Sequence, residues 1–307
     1  MPLITLCSRI PDNDLVAAEC QHLTGGVPDA NGVAVCKTVE HIWRAAYVHT
    51  GLRLLAEAST LEGLATAIAG QSFPAEKFRV EFLRLSASNP ARQHESVIRV
   101  ANAINAAPDL TAPQHRFLVI ARAEGFWFGE IVAETNYGYH DHDNKPYRTS
   151  SSMPARLARA MVNLAVPPAR SILDPCCGTG TILVEARSLG LEAFGLDKNP
   201  KMVGMSRRNL RHFDYEALVE RGDARQYCRT VDAVVTDLPY GHSLQYDPAN
   251  IQGILRQMAT LAPVGIYLTA ENLTSLLEEA GYCQIQVYPI QKRLGMIRYV
   301  HRARVER

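Results

Sequence analysis

Short apolar runs broken by polar turns give a mixed reading of helix and strand along the first half of the chain. Leu3 to Cys7 and Val33 to Lys37 read as strands, while Asp14 to Leu23 and His41 to Thr50 read as helices, the first opening from an Asp-rich turn. A second module follows. Leu52 to Ala58 and Phe78 to Leu85 alternate apolar and polar positions, with the helix Thr60 to Ala69 between them. Glu95 to Ala106 is helical, and Phe117 to Ala121 and Trp127 to Ala133 are placed to pair as strands. Asn136 to Ser152, rich in Tyr, His, Asp and Ser, reads as a linker.

Past the linker the pattern becomes strand, loop, helix, repeated. Ser171 to Asp174 is a short apolar strand, Gly178 and Gly180 form a glycine turn, and a helix-period run continues to Ala186. Glycines there let the backbone approach a ligand and take positive φ, and the following helix offers free N–H groups. The loop departs from the dinucleotide fingerprint, because Leu183 holds the third glycine position and an acidic residue precedes the turn. A second strand ends in Asp197, 23 residues past Asp174, where a carboxylate suits ribose hydroxyls. A third element ends in Gly222-Asp223-Ala224, with an acidic side chain suited to an adenine amine. The fourth, Val231 to Val235, runs into Asp237-Leu238-Pro239-Tyr240.

That last tetrapeptide suits chemistry on an exocyclic amine of a nucleobase. Such an amine is a poor nucleophile, since its lone pair is delocalised into the ring, so a site must hold its N–H groups and fix its approach. Asp237 and a backbone carbonyl supply acceptors, the proline leaves neighbouring carbonyls turned outward, and Tyr240 offers a stacking face. Taken singly, each carboxylate reads equally as a helix cap or a turn residue. Four in register place their polar tips along the carboxyl edge of an open α/β sheet, where an adenosyl cofactor would lie beside a base pocket.

These residues resemble the S-adenosylmethionine-dependent methyltransferases, and more narrowly the THUMP-containing tRNA guanine-N2 methyltransferases that modify guanosine 10. The segment Pro146 to Ala165, where a Pro-aromatic pair and small hydroxyl residues lead into an Ala-Arg-X-X-X-Asn-Leu helix, is similar to the family's segment before the sheet. The resemblance implies a Rossmann-like class I methyltransferase domain over 153–307, with a mostly parallel seven-stranded sheet. Before it the resemblance places a ferredoxin-like region over 1–50, a THUMP-like RNA-binding domain over 51–135 and the linker over 136–152. It assigns the methyl donor, S-adenosylmethionine, to Ser152, Asp174, Cys176, Gly178, Thr179, Gly180, Asp197, Asp223 and Ala224, and the guanine to Asp237, Leu238, Pro239 and Tyr240. Cys176 stands where the family commonly has an apolar or aromatic residue.

Composition narrows the setting. At 307 residues, 47% hydrophobic and 21% charged, the chain is globular and long enough for about two domains. No stretch approaches the roughly 20 apolar residues of a spanning helix, and the first residues lack signal-peptide character, so a cytoplasmic chain without a membrane partner is expected. Seven cysteines with no Cys-X-X-Cys pair argue against a disulfide framework or a zinc site. The adjacent Cys176 and Cys177 read as small side chains packed under a turn, with redox control as the alternative. His140-Asp141-His142-Asp143 holds good metal ligands but sits in the linker and reads as solvated.

Charge supports RNA binding only in part. Residues 1–150 carry a net −3 and residues 151–307 a net +4. The clearest basic cluster is Lys292, Arg293, Arg298, Arg302, Arg304 and Arg307, on an expected final hairpin that turns near Leu294-Gly295 after a sixth strand, Gln284 to Ile290. Lys292 and Arg293 would meet phosphates near the target; the other reading is a basic edge strand that resists sheet-to-sheet aggregation. Arg207, Arg208 and Arg211 have helical spacing and read as a solvated face. Arg148 suits either RNA or the donor's carboxylate. Trp127 and Phe128 are candidates for base stacking, at least one of them expected in the core. Ribosomal RNA guanine, DNA adenine N6 and an inactive RNA-binding protein remain as alternatives, and tRNA is the expected partner of a monomer, with a small activating subunit left open.

Overall fold

The computed structural model describes residues 1–10, 13–150, 152–166, 169–239, 247–291 and 296–306. The chain divides into two compact units, one of residues 1–9, 23–43 and 48–135, the other of residues 10–22, 44–47 and 136–307.

In chain order the first half holds β1 (Leu3–Cys7), α1 (Leu15–Thr24), β2 (Val33–Cys36), β3 (Val48–Ala58), α2 (Leu61–Ala69), β4 (Phe78–Arg84), α3 (Gln93–Ala103), β5 (His115–Arg122) and β6 (Gly125–Glu134). The six strands form one sheet in the order β2-β1-β3-β6-β5-β4, with β4 and β5 parallel and the other pairs antiparallel. Thr60 caps α2 by accepting from the Gly63 N–H. Leu64 and Ile68 of α2 and Val100 of α3 close over one sheet face against Phe78, Phe117 and Phe128, the last two rings stacked at 5.2 Å. Phe128 is thus core, whereas Trp127 lies under the Arg122 guanidinium and donates to Glu57.

Two expectations change. The division at residue 50 runs through β3, and β1 and β2 share a sheet with β3 to β6. The helix expected over His41 to Thr50 is a 3-10 turn, Ile42–Arg44, followed by the start of β3. Glu19 of α1 explains this, since its buried carboxylate accepts the Ala46 and Tyr47 N–H groups at 2.9 and 2.6 Å, and a helix would have directed those donors to its own carbonyls.

The second unit continues with α4 (Tyr139–His142), α5 (Ala155–Ala165), β7 (Ser171–Asp174), α6 (Thr181–Ser188), β8 (Glu192–Asp197), α7 (Pro200–His212), β9 (Val219–Arg221), β10 (Ala233–Asp237), α8 (Pro248–Leu261), β11 (Val264–Thr269), α9 (Thr274–Glu279), β12 (Cys283–Gln291) and β13 (Ile297–Arg304). Its seven-stranded sheet runs β12-β13-β11-β10-β7-β8-β9. The strands β11, β10, β7, β8 and β9 are parallel to one another, and β13 is antiparallel to both its neighbours. Buried on both faces, β10 and β11 are nearly continuous apolar runs, as central parallel strands must be. Asn199-Pro200 and Asp247-Pro248 open α7 and α8 with a capping side chain followed by a proline that needs no N–H partner.

The expected linker is ordered around buried groups. Tyr139, His142 and Lys145 are buried, and His142 Nδ1 lies 2.6 Å from Glu185 Oε1. Glu185 Oε2 also accepts from Arg159 Nε at 2.6 Å, with Arg159 1% exposed. His142 on α4 is therefore held inside, beside the buried Arg159–Glu185 ion pair of α5 and α6, rather than in a solvated loop. Among the described residues no group of three His, Cys, Asp or Glu is placed to hold a metal, and no helix is long and apolar enough to cross a membrane.

Candidate active site

The carboxyl ends of β7, β8, β9 and β10 bring the four acidic tips to one edge of the sheet, because parallel neighbours in register end together. Asp174 is buried at the end of β7. Its Oδ1 accepts the Thr236 hydroxyl at 2.7 Å and the Cys176 N–H at 3.2 Å, and its Oδ2 receives no bond among the described residues. Burial pushes this carboxyl up to about 7, against those two hydrogen bonds, and the charges of Asp237 and Asp197 add to the rise. Such a group favours a cation beside it.

The glycine loop is held from below. Cys177 N–H donates to the Leu196 carbonyl, Gly180 N–H to the Cys177 carbonyl, and Gly178 N–H to Asp197 Oδ2 at 2.9 Å. Gly178 (φ +50°) faces open space, with no atom within 4 Å of where a Cβ would stand, whereas a Cβ on Gly180 (φ +82°) would lie 2.3 Å from Ser206 Oγ. The first glycine leaves room for a ligand and the second lets α6 approach α7. Asp197 Oδ1 accepts the Asn199 N–H, so this carboxylate shapes the loop and the start of α7 while keeping further acceptor capacity. Cys176 is half-buried and Cys177 buried, and burial raises both thiols, the conditions of inert packing side chains.

Asp223 caps the 3-10 turn Ala224–Gln226 and meets Arg225 Nη2 at 2.6 Å and Lys198 Nζ at 3.3 Å. The Arg225 guanidinium holds its carboxyl well below the usual range. Ala224 beside it is buried in the core that also receives Leu238.

The segment before α5 joins this edge through hydroxyls and one amide. Ser152 Oγ accepts the Thr149 N–H and lies 3.1 Å from Thr179 Oγ1. Asn209, buried on α7, donates to the carbonyls of Tyr147 and Thr179 and accepts the Tyr147 N–H. Sequence reasoning missed Asn209, although its spacing from Val203 and Ser206 places it on the buried face of α7. Arg148 Nη1 turns back to the Asp143 carbonyl at 2.8 Å.

At the end of β10, Leu238 continues the ladder by donating its N–H to the Leu268 carbonyl, and its side chain is core, so only its backbone can serve a ligand. Pro239 is half-buried; Tyr240, Lys292 and Arg293 lie outside the described residues. Arg298 corrects the sequence reading. Rather than joining a surface cluster, it is 5% exposed, and its Nη2 lies 2.8 and 3.0 Å from the two oxygens of Asp237. Arg302 is likewise drawn inward, donating to the Leu164 carbonyl and to Gln286.

Comparison with known proteins agrees with this geometry. A family model described as an RMKL-like methyltransferase domain matches residues 143–291, and one described as a DNA methylase matches residues 67–208, stopping short of Asp237. The tRNA (guanine(10)-N2)-dimethyltransferase of Methanothermobacter thermautotrophicus is 30% identical over 264 residues, covering 77% of this chain and 76% of that one. The protein of the same name from Pyrococcus abyssi is 40% identical over 128 residues, 38% of each chain. The crystal structure of TrmN from Thermus thermophilus superposes with a TM-score of 0.56 at 22% identity, covering all of both chains, which shows a shared fold. With 30% identity carried across three quarters of a curated relative, on a sheet and loop of this form, the chain is a methyltransferase and belongs to the tRNA (guanine(10)-N2)-dimethyltransferase family.

Proposed function

We propose that this protein methylates the exocyclic N2 of guanosine 10 in tRNA, using S-adenosylmethionine and adding two methyl groups in succession. The observation that carries the reading is the pairing, on adjacent strand ends, of a buried cation-seeking carboxylate, Asp174, with an acceptor carboxylate, Asp237. The names of the relatives supply the acceptor nucleotide and the number of methyls.

The residues present fit the donor. Asp174 would hold its ammonium, the remaining acceptor capacity of Asp197 would take its ribose hydroxyls, and Gly178, where no Cβ intrudes, would leave room for it above the loop. Asp223 and Ala224 would edge its adenine, and the Ser152 and Thr179 hydroxyls would serve its methionine end. Bound there, S-adenosylmethionine would supply an electrophilic sulfonium methyl, whose transfer to the guanine N2 lone pair would leave the C–S electron pair on sulfur. Asp237 and the Leu238 carbonyl accept the N–H groups and fix the nitrogen's approach, and positioning of this kind supplies much of the rate gain. Once the new bond makes N2 cationic, Asp237 takes its proton and returns it to water.

The first unit, as a THUMP-like RNA-binding region, recognises the RNA, and Arg148, Lys292 and Arg293 are the candidates for its phosphates. The chain works in the cytoplasm, as a monomer or with a small activating subunit. Transfer of labelled methyl to an unmodified tRNA transcript, with ribosomal RNA and duplex DNA in parallel and nucleoside analysis of the products, tests the reading. N2-methylated guanosine confined to tRNA supports it; label confined to DNA adenine would favour the DNA-methylase likeness instead.

A further inference from the structure

We propose that Arg298 is a positioning residue that holds Asp237 ionised and turned toward the acceptor amine. Arg298 stands on β13, which is separated from β10 by β11, and lies one residue beyond the Tyr299–Thr269 pair that ends the β11–β13 ladder. From there its side chain, 6% exposed, reaches across the end of β11, and one nitrogen, Nη2, contacts both oxygens of Asp237. A guanidinium does not deprotonate in a protein, so this charge is permanent. Contact with both oxygens fixes the plane of the carboxylate as well as its charge.

The surroundings explain why a fixed cation is placed here. Asp237 ends β10 beside Asp174 at the end of β7, and the Asp237 charge is one of those that oppose ionisation of Asp174. A protonated Asp237 would present a donor where the amine needs an acceptor, and a guanidinium on both of its oxygens favours the carboxylate. Asp174 on the adjacent strand meets no such cation among the described residues and is pushed toward neutrality by burial. The clamp also speeds return of the proton that Asp237 takes from methylated N2, because a carboxylic acid beside a guanidinium loses its proton readily to water.

The role of Asp237 toward guanine rests on the function proposed above, but the clamp can be tested without it. Carboxyl 13C NMR titration of the full chain, with Asp237→Asn used to assign the signal, should show Asp237 titrating about one unit or more higher in Arg298→Gln than in wild type, and returning toward wild type in Arg298→Lys. The acid limb of kcat for methyl transfer at saturating donor should move by the same amount, with donor affinity changed less than about threefold. If Arg298→Gln fails to fold, the Arg298→Lys titration and pH profile decide, since a flexible point charge should shift both upward by a smaller step. An unchanged Asp237 titration, with a pH profile parallel to wild type, would show that Arg298 serves only the fold. Absence of methylation by the wild-type protein would sink the proposed function and leave the titration to judge the clamp.

Discussion

Thr236 donates its hydroxyl to Asp174 at 2.7 Å, tying the ends of two adjacent parallel strands through one buried carboxylate oxygen. Burial of that carboxylate sets a pH dependence. Folding raises this carboxyl from 3.8 to about 7, so the stability it contributes is fully present below the lower value and is lost as pH rises to the upper one. Urea unfolding of the donor-free protein should therefore show wild type losing more stability than Asp174→Asn between those two values. A cationic donor reverses the balance by pairing with the charged form. Calorimetry in that window should register proton release on donor binding by wild type and none by Asp174→Asn, whose affinity falls about tenfold or more.

On the proposed function Asp237 serves the acceptor amine and Asp197 the methyl donor. Asp237→Ala should lower kcat by about 100-fold or more while donor affinity is retained, whereas Asp197→Ala should weaken donor binding first. Because Asp237→Ala also removes the carboxylate that the buried Arg298 guanidinium meets, Asp237→Asn is the cleaner companion, and both should be read against thermal stability. Equal loss of donor binding in the Asp197 and Asp237 variants would contradict the division.

The two loop glycines should respond differently. Gly180→Ala combines a left-handed φ with a clash against Ser206 Oγ, and should cost about 1–3 kcal/mol of stability, partly recovered by adding Ser206→Ala. Gly178→Ala meets no neighbour, so its cost is the backbone strain of about 1–2 kcal/mol, together with weaker donor binding. Chemical denaturation and donor titration of the three variants check this.

Glu185 lies between Arg159 and His142 with none of its side chain exposed. Removing it in Glu185→Ala leaves the Arg159 guanidinium buried without its carboxylate, and unfolding free energy should fall by about 3–5 kcal/mol.

The local parts of the site were legible in the sequence. Asp174, the two loop glycines and Asp197 lie at strand ends or in a turn a few residues long, where apolar runs and glycines report the backbone directly. Groups that meet across distant segments were not. Arg298 reads as one of several basic residues on a hairpin, and only the antiparallel return of β13 beside β11 turns it toward Asp237. His142 looks like a loop ligand until α5 and α6 bring Arg159 and Glu185 to it. The helix pattern over His41 to Thr50 lost to Glu19, a residue more than twenty positions earlier that captures two of its N–H groups. Local propensity yields where a buried carboxylate dictates the hydrogen bonding.

The most direct test of the central claim is to map methylation by mass spectrometry on two tRNA transcripts, one unmodified and one with guanosine 10 replaced by adenosine. The account predicts N2-methylguanosine followed by N2,N2-dimethylguanosine at position 10 of the first and no methyl group on the second. Equal methylation of both transcripts, or label at another position in the first, would contradict it.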